Sequence, residues 1–300
     1  SILLIRVDND VFINLNDAGP YSSKFIKKTV SKFRRKFLLS IATFEADMLN
    51  FFDENNNFIK PAISEKFSAG KYLSILANIF GAKYIIPFSS IHEYQREDSI
   101  WANDYIYPLE KYSKDIDKKH IFIKPFSYIN CKRDDDFTSL NINKKKLEVK
   151  APEIFGDNWK DELSVSDKNV IKDYFDKFLS FKNKLGFLSF KVGGKEFNLK
   201  FDGPSNKGIS FELPRNSLVT SCKHRVFDDL LIANFMKTKL YNLSSLYDPS
   251  ANFTHEICKF GDGGMVYSKE ELDNYNKYYA KKMGKEYFLD LFANSCKDHF

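Results

Sequence analysis

Along the chain the apolar positions change period several times, and each change predicts an element. The opening, ILLIRVDNDVFINLN, reads as two strands rich in β-branched and apolar residues around a tight turn at Asp8-Asn9-Asp10. After a second turn, Asp17-Ala-Gly-Pro20, the residues Phe25, Ile26, Val30 and Phe33 recur at helical spacing among lysines and arginines, with Ser22 or Ser23 placed to cap. FLLSIAT, Phe37 to Thr43, is a short continuous apolar run suited to a buried strand. Past the Asn-rich turn at Asn55 to Asn57, Pro61 is expected to open a long helix through Ile63, Phe67, Tyr72, Ile75, Leu76 and Ile79. Gly81 closes it, and Gly70 is a blemish inside it. Lys83 to Phe88 predicts a further buried strand. This alternation of strands and helices predicts an α/β arrangement whose loops at the strand ends carry the site.

From Leu109 to Glu162 the pattern loosens. HIFIKPF is one strand there, and KRDDD and NKKK read as solvated connections, so residues 131–165 are expected to connect a first domain, 1–130, to a smaller α+β domain, 166–300. In the second part Ser166 is expected to cap a helix over Val170 to Phe181. Phe187 to Phe190 and Glu196 to Phe201 form a hairpin through Val192-Gly-Gly194, and ISFELP is a third strand. Pro214 then starts a helical second half containing FDDLLIANFM, and two helices near 269–282 and 285–296 end the chain.

Composition changes this picture little. With 300 residues and 43% hydrophobic positions there is ample material for a core, and the formal charge of +6 is a small surplus in short runs. That surplus points to a small anionic ligand and not to nucleic acid. The four cysteines, Cys131, Cys222, Cys258 and Cys296, are far apart without a CxxC pair. No signal peptide or apolar span of about 20 residues is present, so a reduced, cytoplasmic protein with no membrane association is the simplest account. Ser1 is followed at once by a strand-like run, as if the sequence began inside a sheet whose N-terminal partner precedes it.

The common nucleotide and hydrolase signatures, GxGxxG, the Walker loop, GxSxG and HExxH, are absent, and GDGG at Gly261 to Gly264 lacks a preceding strand. Asp17 reads either as an Asx-turn residue before Gly19-Pro20 or as a carboxylate just past a buried strand, able to meet His92 as a metal ligand over the sheet edge. The stretch PFSSIHEYQREDSIWANDY, Pro87 to Tyr105, is open in the same way. Glu93, Arg96, Glu97 and Asp98 have the alternation of a solvated face. Trp101 and its tyrosines instead suggest a loop folded onto the body as a substrate rim.

The succession VFINLNDAGPYS, FLLSIATFEADMLNF, a long helix and YIIPFSSIHEYQREDSIWANDY resembles the C-terminal half of a metallo-β-lactamase-fold metallohydrolase. The nearest branch is that of CMP-N-acetylneuraminate hydroxylase and related sugar enzymes. PRNSLVTSCKHRVFDDLLIANFM, Pro214 to Met236, is similar to the appendage of that branch, with Asp228 and Asp229 at its Asp-Asp dipeptide. The resemblance implies a partial αββα sandwich over residues 1–130 and metal-activated hydroxide as nucleophile. It further implies zinc or iron bound through Asp17 and His92, with His92 as the catalytic residue that binds the metal or steadies the developing charge, and an anionic substrate, such as a sugar nucleotide, met by Arg96 and Trp101. The HxHxDH motif of that fold and the Rieske cysteine-histidine pairs of the hydroxylase have no match here. The resemblance therefore implies that most metal ligands precede Ser1, that the chain is a metal-free binding or scaffold protein on the same fold, or that it is the metallo-β-lactamase-type domain of a Rieske-containing sugar-nucleotide hydroxylase, an oxygenase whose iron-sulfur domain precedes Ser1.

Overall fold

The computed structural model describes residues 2–16, 18–20, 23–41, 49–60, 68–89, 92–141, 146–178, 182–251, 253–260, 268–285 and 288. The architecture is mixed α/β, with two five-stranded sheets among the described residues.

Strands β1 (Leu3–Val7) and β2 (Asp10–Asn16) pair antiparallel around the expected turn, and Asp8 takes its left-handed position with φ 51°. β2 then runs parallel to β3 (Arg35–Ser40), which runs parallel to β5 (Tyr84–Pro87), with the short β6 (Ile121–Phe122) at the far edge. The intervening α1 (Ser23–Val30) and α2 (Ala69–Phe80) cover one face, burying Ile26, Val30, Leu73, Leu76 and Phe80 against Val11, Ile13, Leu15, Leu38 and Ile85. Those strand residues alternate with a second apolar row on the opposite face, because successive side chains in a strand point to opposite sides. Phe12, Phe37 and Tyr84 stack across three strands of that face with centroids 4.6 Å apart at each step.

Helix α2 starts later than the spacing predicts. Ser68 is extended, and its side chain accepts from the Lys71 N–H, so the helix begins at Ala69 and not at Pro61; residues 61–67 lie outside the described residues. Gly70 is no blemish. A Cβ there would lie 2.0 Å from the Lys114 carbonyl oxygen and 2.8 Å from the Ile116 nitrogen, so only glycine lets the 114–116 backbone pack onto the helix.

KRDDD is docked, not merely solvated. Arg35, buried at the start of β3, forks onto Asp10 with bonds of 2.6 and 3.1 Å and also donates to the Arg133 and Asn130 carbonyls. Tyr84 donates to Asp135 at 2.8 Å. The hairpin of β7 (Ser127–Ile129) and β8 (Phe137–Ser139) is thereby held over the second face of the sheet, where Ile129 and Phe137 pack against Phe37 and Tyr84. NKKK falls mostly outside the described residues.

The second sheet has the order β10-β9-β11-β12-β4. β9 (Phe187–Val192) and β10 (Lys195–Lys200) form the expected hairpin, whose Gly193-Gly194 turn has φ of 60° and 77°, the double positive φ that a two-residue turn of this twist requires. β11 (Gly208–Glu212) is flanked by β9 and by β12 (Lys237–Tyr241), a strand inside the stretch expected to be helical. The last member, β4 (Phe51–Phe52), arrives from the first part of the chain and pairs parallel to β12. After the one-turn α3 (Leu109–Tyr112), four helices cover one face of this sheet and bury Leu188, Phe190, Ile209, Phe211 and Leu240: α4 (Val165–Phe175), α5 (Arg215–His224), α6 (Asp229–Ala233) and α7 (Phe253–Phe260). α4 begins five residues before the expected Val170, because Ser164, and not Ser166, is its cap. Ser164 accepts from the Asp167 N–H, and the Asp167 carboxylate accepts from the Ser164 N–H, a capping box. α8 (Lys269–Met283) is the first of the two expected terminal helices; of the second, only residues 285 and 288 are described.

Candidate functional site

Two places merit weighing, and the stretch from Pro87 to Tyr105 connects them. The first is the edge at which the parallel strands end. β2 stops at Asn16, β3 at Ser40 and β5 at Pro87, laced by Ile41 N–H to Asn16 O (3.1 Å) and Phe88 N–H to Ser40 O (3.1 Å). Two strand spacings put the ends of β2 and β5 about 10 Å apart. Both chains leave this edge through a left-handed non-glycine residue, Asn16 at φ 48° and Ser89 at φ 78°, with an irregularity in the register between Asn14 and Asn16. Left-handed backbone costs a non-glycine residue about 1 kcal/mol, and such positions cluster at functional sites. Asp17 follows directly on Asn16 but lies outside the described residues.

His92 comes five residues after β5. It is exposed, its ring standing edge-on against Tyr94 with centroids 5.0 Å apart, and the partial loss of water on that side lowers the imidazole pKa. The ring is therefore neutral at pH 7, the form that binds a cation or accepts a proton. No group of three or more His, Cys, Asp or Glu side chains converges among the described residues. The described residues supply one imidazole at this edge, and Asp17 lies outside them, which falls short of a coordination sphere, so the described residues do not by themselves fit a metal centre.

From Tyr94 onward the stretch is a strap laid across the second sheet's helices and not a solvated loop. Asn103 grips Tyr94 from both sides, accepting its N–H at 2.7 Å and donating to its carbonyl at 3.0 Å. The Tyr94 hydroxyl donates to the Ile232 carbonyl and accepts from Asn234, and Ser99 donates to the Ala233 carbonyl at 2.7 Å. Arg96 fixes the centre. Nε and Nη2 fork onto Asp98 at 2.7 and 3.0 Å, Nη1 donates to Asp157 at 2.6 Å, and the guanidinium lies 3.9 Å from the Phe235 ring centroid. With each nitrogen bonded to a carboxylate of the chain itself and the side chain 11% exposed, Arg96 is a positioning residue and is not presented to an anionic substrate. Asp157 also accepts from the N–H and hydroxyl of Ser217 in the first turn of α5, so the strap is tied to a helix terminus of the second part.

The second place is the cavity this strap roofs, about 480 Å³ in volume. Trp101 and Tyr105 come from the strap, Phe52 and Phe58 from the β4 segment, Trp159 from the region expected to be a connection, Glu212 and Lys237 from the second sheet, and Phe235 from the turn just before β12. The rings form a belt: Trp101 meets Tyr105 at 5.9 Å, Tyr105 meets Phe58 at 6.2 Å, and Phe58 meets Phe52 at 5.8 Å. Trp101 thus sits where a substrate rim was expected, while Arg96 stands behind it. The spacing gave no sight of Phe52, Phe58, Trp159, Phe235 or Lys237, since they converge from segments up to 185 positions apart (Phe52 to Lys237). One usable signal was there: Trp159 is a lone aromatic in the polar run GDNWKDE. No protein-family model, no curated protein and no solved structure matches the chain. No helix among the described residues is long and apolar enough to cross a membrane.

Proposed function

We propose that this chain is the substrate-holding, C-terminal part of a metal-dependent hydrolase of metallo-β-lactamase type, acting on a small anionic metabolite. The observation that carries the reading is that one strap begins at the strand-end edge following β5 and roofs an aromatic cavity of enzyme-site size. The first sheet adds support. Helices cover one of its faces, while its other face is apolar and partly open, with Leu3, Ile5 and Val7 on the edge strand exposed by 55%, 44% and 38%. A sandwich would lay its second sheet on such a face.

Zinc or iron in this reading is held mostly by residues outside the chain, with Asp17 and His92 completing the set. Because the described residues fall short of a centre, the roles assigned to this chain are limited to holding substrate and presenting a neutral imidazole at the edge. Elemental analysis of the protein expressed from its complete gene tests the reading. Stoichiometric zinc or iron that drops on Asp17→Ala and on His92→Ala supports it. A folded, metal-free protein would make the chain a binding or scaffold protein instead.

A further inference from the structure

Resting on the reading of the cavity as a substrate site, we infer that its ligand is a planar unsaturated ring carrying one anionic group. The walls present π faces and no indole donors. The Trp101 N–H is bonded to the Asp98 carbonyl at 3.2 Å and the Trp159 N–H to the Asp98 carboxylate at 2.8 Å, so both indoles are held and pre-oriented. Asp98 is in turn paired with the Arg96 fork, which it shares with Asp157. The rim therefore offers flat ring surface whose indoles are held in place, on which a planar ring gains about 1–3 kcal/mol by stacking.

Charge selects the substituent. Glu212 stands opposite both Lys191 and Lys237 in the register of the second sheet, so the three side chains share one face. Lys191 pairs with Glu212 at 3.0 Å. Lys237 makes no ion pair with any described residue, and its ammonium hangs 5.5 Å from the Phe52 ring centroid at the side of the cavity. Among the described residues one Glu212 carboxylate is shared by two lysines, so the trio leaves one positive charge in excess beside the rings, which favours an anionic group on the ring's edge and disfavours an organic cation. Two sources share this chemistry, a nucleoside monophosphate and an aromatic carboxylate.

The experiment uses a convenient property of the sequence: both of its tryptophans line the cavity, so intrinsic emission reports on this site. The protein is titrated with AMP, benzoate, adenosine, inorganic phosphate and choline, with emission and calorimetry as readouts. Saturable binding of AMP, of benzoate or of both is expected, and which of them binds identifies the source. Adenosine should bind at least about fivefold more weakly than AMP if AMP is the ligand, and phosphate alone and choline should not bind. Lys237→Met should raise Kd about fivefold and Phe58→Ala by a comparable factor. Both residues are exposed, so the thermal midpoint should not move. Failure of both AMP and benzoate to bind, choline binding best, or full affinity retained in Lys237→Met would overturn the inference. Metal content and ring binding are separate readouts. A metal-free protein that still binds the ring anion sinks the hydrolase reading alone, and a metal-loaded protein that binds neither probe sinks this inference alone.

Discussion

The outer faces of the two sheets make a useful contrast. Opposite its helices, the first sheet shows Phe12, Phe37, Leu39, Tyr84 and Ile86, half covered by the 127–139 hairpin and bordering a groove of about 450 Å³. The second sheet shows Lys191, Ser210, Glu212, Lys237 and Lys239, a face that water tolerates, with the aromatic cavity confined to its β4 end. An apolar face asks for a cover, whereas a charged face with one desolvated corner asks for a ligand. Each sheet is fastened by an arginine: buried Arg35 on Asp10 ties the hairpin segment to the first sheet, and partly buried Arg96 on Asp98 and Asp157 ties the strap to the second.

The largest expected effect breaks those fastenings. Arg35→Met removes the fork on the buried Asp10 carboxylate, leaving Arg34 at 3.6 Å as its remaining arginine partner, and should cost about 3 kcal/mol in urea unfolding. Arg96→Met should cost somewhat less, because its side chain is more exposed. It alone should shift tryptophan emission, since it releases the carboxylate that holds Trp159. Equal emission changes in the two variants would show that the fastenings are not local. Next, Gly70→Ala forces the 114–116 backbone off α2 and should lower stability by about 2 kcal/mol, read as a drop in the urea midpoint.

Acid should separate the regions further. Burial alone would raise the Asp167 carboxyl, but Arg215 and Ser164 outweigh it and bring the pKa down to about 2 from an ordinary 3.8. The stabilisation is complete above the unfolded value and is lost as pH falls from about 4 to about 2, a loss of about 2 kcal/mol. Unfolding between pH 5 and 2 should show this loss, and Arg215→Gln should shrink it. The smallest effect is on the open face. Ile5→Lys should change stability by no more than about 0.5 kcal/mol yet reduce binding of a hydrophobic dye, whereas an unchanged dye signal would mean that this face is already covered.

Much of the first sheet was legible from local pattern. β1, β2, β3 and β5 are continuous or alternating apolar runs bounded by turn residues, and their signals lie within each segment. The Ser164 cap was also readable, since Asp167 stands at its third position; Ser166, two residues on, drew the prediction away. β4 was beyond reach. Two phenylalanines become a strand only because β12 offers them a partner, and β12 was missed because the apolar run before it carries a helical period. Trp101 was placed on a rim by its company, but the role of Arg96 depended on Asp157 and Phe235, neither of which lies near it in sequence.

By itself, then, the sequence determined the α/β class, the strand-end position of the segments that carry Asp17 and His92, and the presence of an aromatic-rich stretch after β5. Those features follow from periodicity, which is set by the geometry of one segment at a time. Tertiary structure decided that the stretch is a strap, that its arginine is consumed by internal carboxylates, and that one lysine of a distant strand stands beside a belt of rings with no ion pair to any described residue. Pairing and desolvation depend on which atoms meet, and residues as far apart as Asn50 and Lys237 meet only when the chain is folded.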